Sequence, residues 1–166
     1  MKYWRDAGHV ARRTLEAMKL ELQPGKTFHE VIESAERFIH RHGGKPAFPG
    51  TIAVNDLAAH FTTDHTVAAV EGWDGESVLQ KGDLVKIDFG VHIKGHIGDN
   101  ALTFEIGNGN EHTEQIKAAK EARDAAIEML HPGTPWYKVG QAAAQPSLDA
   151  GFQPIRNLCG HQLKPW

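Results

Sequence analysis

The sequence predicts an α+β fold in which a helix–helix–strand unit is used twice, and three observations lead there. Between Leu84 and Phe104 the residues Val85, Ile87, Phe89, Val91 and Ile93 are apolar and alternate with Lys86, Asp88, Gly90 and His92. That period of two is the pattern of a strand with one buried face. Two pairs of amphipathic segments carry apolar residues at helical spacing, and each pair is interrupted by a Pro-Gly stop, Pro24-Gly25 and Pro132-Gly133. Finally, the chain resembles itself at one constant shift. Leu22 lies over Leu130, Pro24 over Pro132, Gly25 over Gly133, Val31 over Val139, Ala35 over Ala143, Gly43 over Gly151 and Pro46 over Pro154. The matches fall on helix stops and core positions, where a repeated supersecondary unit needs the same residue types.

In chain order, Val10, Leu15, Met18 and Leu22 make one face of a first helix from about Tyr3 to Leu22. Thr27 opens a second, with Glu30 three residues on as a capping box. Its apolar stripe is Val31, Ala35, Phe38 and Ile39, and Gly43-Gly44 end it. Thr51-Ile52-Ala53-Val54 reads as a strand, broken by Asn55-Asp56. Residues 62–83 read as loop with one short strand, and Gly107 to Asn110 as a turn. Within the hairpin, Lys94-Gly95 is the expected two-residue turn, which pairs Ile93 with His96, Gly90 with Asp99 and Asp88 with Ala101. A third helix is expected from Ile116 to Leu130. A fourth is expected from Thr134 as N-cap and Pro135 as first helical residue, kinked or ended early by Pro146 and closed by Gly151. Phe152 to Leu158 reads as a last strand. The expectation is one domain over 1–166, with a first half of about 1–108 and a partial second half of about 109–166. On its own internal logic the second copy is incomplete, because it ends soon after its first strand.

Composition bounds the function. At 166 residues the chain is long enough to bury a core, and its 40% apolar content does not suggest disorder. A net charge of −3 leaves no basic footprint for nucleic acid. One cysteine, Cys159, excludes an internal disulfide framework and suits a reducing cytoplasm. No apolar run reaches a membrane span, and the first residues, MKYWRDAGHV, are too polar for a signal peptide.

The hairpin carries the chemistry. Cross-strand partners share a face, so the expected register puts Asp88 and Asp99 on the polar side as diagonal neighbours, about 7–8 Å apart at the backbone. Two carboxylates aimed at one place repel unless a cation lies between them, and a divalent metal is the natural occupant. The competing reading is two solvated aspartates. His60 and His161 are the other candidates, and each taken singly reads more simply as a packed or solvated histidine.

Taken together these residues resemble a known pattern. FPGTIAVNDLAAH, ending at His60, is similar to the segment of type II methionine aminopeptidases that runs from a proline through a strand and an asparagine to Ala-Ala-His. KIDFGVHIKGHIGDNALTF resembles their two-aspartate hairpin, and PIRNLCGH, ending at His161, resembles the segment that delivers a metal-binding histidine. The resemblance covers essentially the whole chain and looks archaeal. It implies the pita-bread fold, with a pseudo-twofold relation between halves, and removal of the N-terminal methionine from nascent proteins in the cytoplasm. It implies two divalent ions from among Co, Mn, Fe and Zn. Asp88 would chelate one, Asp99 bridge both, His161 bind the second, and His60 face the substrate as the catalytic and substrate-binding histidine. Implied partners are N-terminal methionine peptides or nascent proteins, and the ribosome that presents them. The family completes its site with two glutamates and a second histidine that follow the position of His161, where this chain has only Gln162 to Trp166. That departure implies an inactive N-terminal portion. The alternative is a non-catalytic module of the same fold that binds a protein or ribosomal partner, a role that usually accompanies loss of the metal ligands.

Overall fold

The computed structural model describes residues 1–63, 76–107 and 109–165. The expected loop glycines Gly72 and Gly75, and Asn108 of the expected turn, lie outside them. The chain forms two compact units, one of Met1–Gly109 with the last residues from Gln162, the other of Asn110–His161.

In the first unit, helix α1 (Lys2–Glu21) buries Ala7, Val10, Ala11, Thr14, Leu15 and Met18, a stripe at three- and four-residue spacing. The Thr14 hydroxyl, buried on that stripe, donates back to the Val10 carbonyl at 2.9 Å, so its burial leaves no donor unmet. Helix α2 (Phe28–Arg41) begins at the expected capping box, with Thr27 accepting from the Glu30 amide and Glu30 accepting from the Thr27 amide. Its buried residues are Phe28, Val31, Ile32, Ala35 and Ile39. Ile32 takes the place expected for Phe38, which stays half-buried and stacks on His42 with ring centres 3.9 Å apart. A helix stripe drifts because 3.6 residues make a turn, so position 38 falls at its margin.

Four strands follow: β1 (Lys45–Pro46), β2 (Thr51–Val54), β3 (Leu84–Ile93) and β4 (His96–Glu105). β3 is the centre. One of its edges is shared end to end by β1, at His92 and Val91, and by β2, from Asp88 to Val85. The other edge pairs along its whole length with β4 in the expected register, Ile93 with His96, Gly90 with Asp99 and Asp88 with Ala101. The turn works because Lys94 and Gly95 both take left-handed φ, 50° and 77°, the geometry that matches strand twist. β1 is too short for a periodicity argument, and only its partner on β3 reveals it. The short strand expected between 62 and 83 is reduced, among the described residues, to a single bridge of Val78 with Thr27.

The helices cover the apolar face of the hairpin. Val85, Ile87, Phe89 and Val91 join Leu15, Met18, Phe28, Val31, Ile39 and Ile52 in one core. Each such side chain contributes about 1.5–3 kcal/mol on full burial. α1 lies so close to the hairpin that a Cβ on Gly98 would stand 2.5 Å from the Gly8 nitrogen.

The second unit is α-helical among its described residues: α3 (Thr113–Met129) and α4 (Trp136–Asp149). Five expectations are corrected here. α3 starts three residues before Ile116, because Thr113 and Glu114 suit a first turn as well as a loop. α4 starts at Trp136 with Pro135 as its N-cap and no side-chain cap bond, so Thr134 does not cap it. Pro135 takes ψ 136°, extended, and helical geometry begins one residue later than expected. Of the kink or early end expected at Pro146, the early end does not occur, since α4 runs on to Asp149. A proline removes one amide bond but its fixed φ is itself helical, and only the last turn lies beyond it. Phe152 to Leu158 is not a strand: none of these residues enters a ladder. Extended propensity yields a strand only where a partner supplies hydrogen bonds, and none of the described residues of this unit is in a strand.

The two helix pairs keep the same backbone punctuation. α1 and α3 end at Glu21 and Met129, 108 residues apart, and α2 and α4 begin and end at positions separated by the same shift. The residues after the first helices, Leu22 and Leu130, have φ/ψ of −75°/77° and −77°/86°. Gly25 and Gly133 have φ 87° and 89°, and Gly43 and Gly151 have 79° and 83°.

Candidate metal and substrate face

Asp88 sits in the middle of β3, paired with Thr51 on one side and Ala101 on the other. Asp99 pairs with Gly90, the next residue along β3 on the same face. The hairpin therefore brings the two carboxylates together as diagonal neighbours, on the side away from the helices. Both residues are half-buried, and Oδ1 of Asp88 is closed off from solvent.

A carboxylate oxygen withdrawn from water beside a second carboxylate is costly unless a cation offsets the charge. The pair fits a divalent ion, which prefers hard oxygen donors. Among the described residues no three His, Cys, Asp or Glu side chains converge as a metal site, so the hairpin offers a pair of donors and not a full set.

Phe48 completes this face. A Cβ on Gly90 would run into its ring, so the ring lies over Gly90, in line with Asp88 and opposite Asp99. The sequence reading missed it. The available signal was Gly90 itself, a residue without a side chain in the middle of an otherwise side-chain-rich strand, which marks a close approach.

His60 lies on the loop after β2, exposed and with φ 68°. Both ends of that loop are fixed. Asn55, with φ 53°, accepts from the Leu84 amide at 2.9 Å and donates to Asp83 at 3.0 Å. Its carbonyl accepts from Lys86 at 2.6 Å. Burial holds the Lys86 ammonium below its ordinary pKa, partly offset by Asp56. Asn55, read as a simple polar break, is a clamp between the strands. At the far end the Ile52 amide donates to the Phe61 carbonyl at 2.9 Å. Phe61 is buried, edge-on to Phe28 at 6.2 Å between ring centres. The chain after His60 thus runs beside Ile52, the neighbour of Thr51 and hence of Asp88. His161 belongs to the second unit, exposed, in a segment without regular structure.

Comparison with known proteins identifies the family and the fold. The model of metallopeptidase family M24 matches residues 2–164. The chain is 37% identical over 159 residues to a methionine aminopeptidase of Thermococcus onnurineus, covering 95% of this chain and 50% of that protein. It is 33% identical over 181 residues to a methionine aminopeptidase of Methanothermus fervidus, covering all of this chain and 90% of that one. It superposes on the crystal structure of methionine aminopeptidase from Rickettsia prowazekii with a TM-score of 0.81, at 23% identity, over 93% of this chain and 61% of that one. The chain spans about half the length of most of the relatives it matches, and about half of the pita-bread fold is present. The chain belongs to metallopeptidase family M24, among relatives that are methionine aminopeptidases.

Proposed function

We propose that the face bearing Asp88 and Asp99 is part of the divalent-metal site of an aminopeptidase that removes N-terminal methionine from peptides and nascent proteins at the ribosome, in the cytoplasm. The observation that carries this is the hairpin register, which sets both carboxylates on one half-buried face. Asp88 and Asp99 would hold divalent metal there, with Co, Mn, Fe and Zn all compatible with such donors. A bound divalent ion would supply Lewis-acid polarisation of the peptide carbonyl and an acidified water.

The remaining chemistry falls to the chain's own side chains. Phe48 offers an apolar wall beside the aspartates, suited to a thioether side chain. His60, exposed on its loop, would hydrogen-bond the scissile peptide and the charge that develops on its oxygen. Among the described residues the Asp88–Asp99 pair alone gives too few carboxylates to offset a pair of divalent cations. This chain binds at most one ion, weakly, and does not release methionine at a useful rate.

Calorimetric titration with Mn and Co, followed by a Met-Ala-Ser peptide assay on the same sample, tests this. One weak site, lost in Asp88→Asn, without methionine release is the expected result. Two tight sites together with methionine release would overturn the stated limit of the chain, and binding indifferent to Asp88→Asn would overturn the site.

A further inference from the structure

The loop that presents His60 is tied to helix α2 through a short chain of polar side chains. Thr63 is 6% exposed and three residues past His60. Its hydroxyl lies 3.3 Å from Nδ1 of His29, one residue into α2. The other ring nitrogen, Nε2, is 3.5 Å from Oε1 of Glu33, one helical turn on. Glu33 in turn accepts from Arg37 at 3.1 Å, a further turn along. A carboxylate at Nε2 favours the proton on that nitrogen, which leaves Nδ1 as the acceptor for the Thr63 hydroxyl. Each partner orients the next.

This matters because the conformation of His60 is not a resting one. A φ of 68° is the left-handed region, which is unfavourable for a residue with a side chain and persists only where the surroundings hold it. Asn55 fixes the loop before His60, and Phe61 fixes it by burial. Thr63 is the next attachment, and it is reached through a side chain of α2. We infer that His29 is a positioning residue for His60, acting through the Thr63 hydroxyl with its own ring oriented by Glu33. The inference rests on the reading of His60 as the histidine that faces the substrate.

The test needs no turnover. His29→Leu fills the same space without an acceptor, and His29→Asn retains a polar atom near the position of Nδ1. One hydrogen bond of this kind is worth about 0.5–1.5 kcal/mol net, which corresponds to a change of about 2–10-fold in a local opening equilibrium. In a 15N- and 13C-labelled chain, His29→Leu should speed exchange of the Ile52 amide, bonded to the Phe61 carbonyl, by about 2–10-fold. The Val85 and Ile87 amides in the sheet should not change. The His60 Cα resonance, displaced by its left-handed φ, should move towards the random-coil value. Thr63→Val should reproduce both effects, the double variant should add nothing to either single one, and His29→Asn should restore most of the difference. Unchanged Ile52 exchange and His60 shift in His29→Leu would overturn the inference, as would uniform acceleration across the sheet. Neither outcome bears on metal binding by Asp88 and Asp99, so the two proposals fail separately.

Discussion

The two helix pairs share their turns and differ in what they bury. α2 and α4 have the same length and the same boundaries at a fixed shift, and left-handed glycines stand at equivalent stops. Yet Phe28, at the start of α2, is 0% exposed, and Trp136, at the start of α4, is 78% exposed. Leu22 and Leu130 differ in the same sense, at 5% and 49%. α2 buries five residues and α4 none. Backbone punctuation is therefore a local property, set by Pro-Gly stops and by residues that tolerate positive φ. Burial is a property of the layer that covers the helix: in the first unit α2 packs on α1 and against β1 and β2, and no described residue of the second unit is in a strand.

The contrast makes its largest prediction at its aromatic pair. Phe28→Ala should cost about 3–5 kcal/mol by urea unfolding of the first unit. Trp136→Ala should stay within about 0.5 kcal/mol. Comparable losses at both positions would show that α4 is covered as α2 is, and would break the comparison. Close approach gives the next effect. Gly98→Ala should destabilise the first unit by about 1–3 kcal/mol, because its Cβ would meet the backbone of α1.

The glycines at the stops should behave alike instead. Gly43→Ala and Gly151→Ala each force a side chain into left-handed φ with open space around it, so each should lose about 1–2 kcal/mol despite their different surroundings. A clear inequality would mean that the shared backbone is not a shared constraint.

The smallest difference lies in the caps. The Thr27 amide, bonded to Glu30, holds that carboxyl below its ordinary pKa, with a smaller contribution from Lys26. The group is depressed on folding, so its contribution to α2 is complete above the ordinary carboxylate range, about pH 4.3, and is lost as pH falls through the lowered value. Amide exchange in the first turn of α2 should therefore quicken in acid, while the first turn of α4, which has no side-chain cap bond, should show no such step.

Much of the first unit could be read from residues alone, because its signals are local and mutually consistent. Alternation from Val85 to Ile93 and a two-residue turn at Lys94-Gly95 determine the register, and the register determines which face Asp88 and Asp99 share. Thr27 with Glu30 announces its own helix start. What could not be read depends on partners distant in sequence. Phe152 to Leu158 has strand composition and no ladder. β1 exists because β3 passes beside it. Phe48, Asn55 and Thr63 gain their roles from Gly90, Leu84 and His29, and no spacing rule connects those pairs. The early end expected at Pro146 failed for another reason: a proline near the end of a helix forfeits little that the end would not lose anyway.

The central claim is that Asp88 and Asp99 form one cation-binding face. Paramagnetic line broadening by Mn tests it most directly, read on backbone amides of the labelled chain. The account predicts broadening centred on Asp88, Gly90, Asp99 and Ala101, saturating as a single weak event and abolished by either Asp88→Asn or Asp99→Asn. Broadening scattered over exposed carboxylates such as Glu16 and Glu114, or centred on the hairpin but unchanged in both variants, would contradict it.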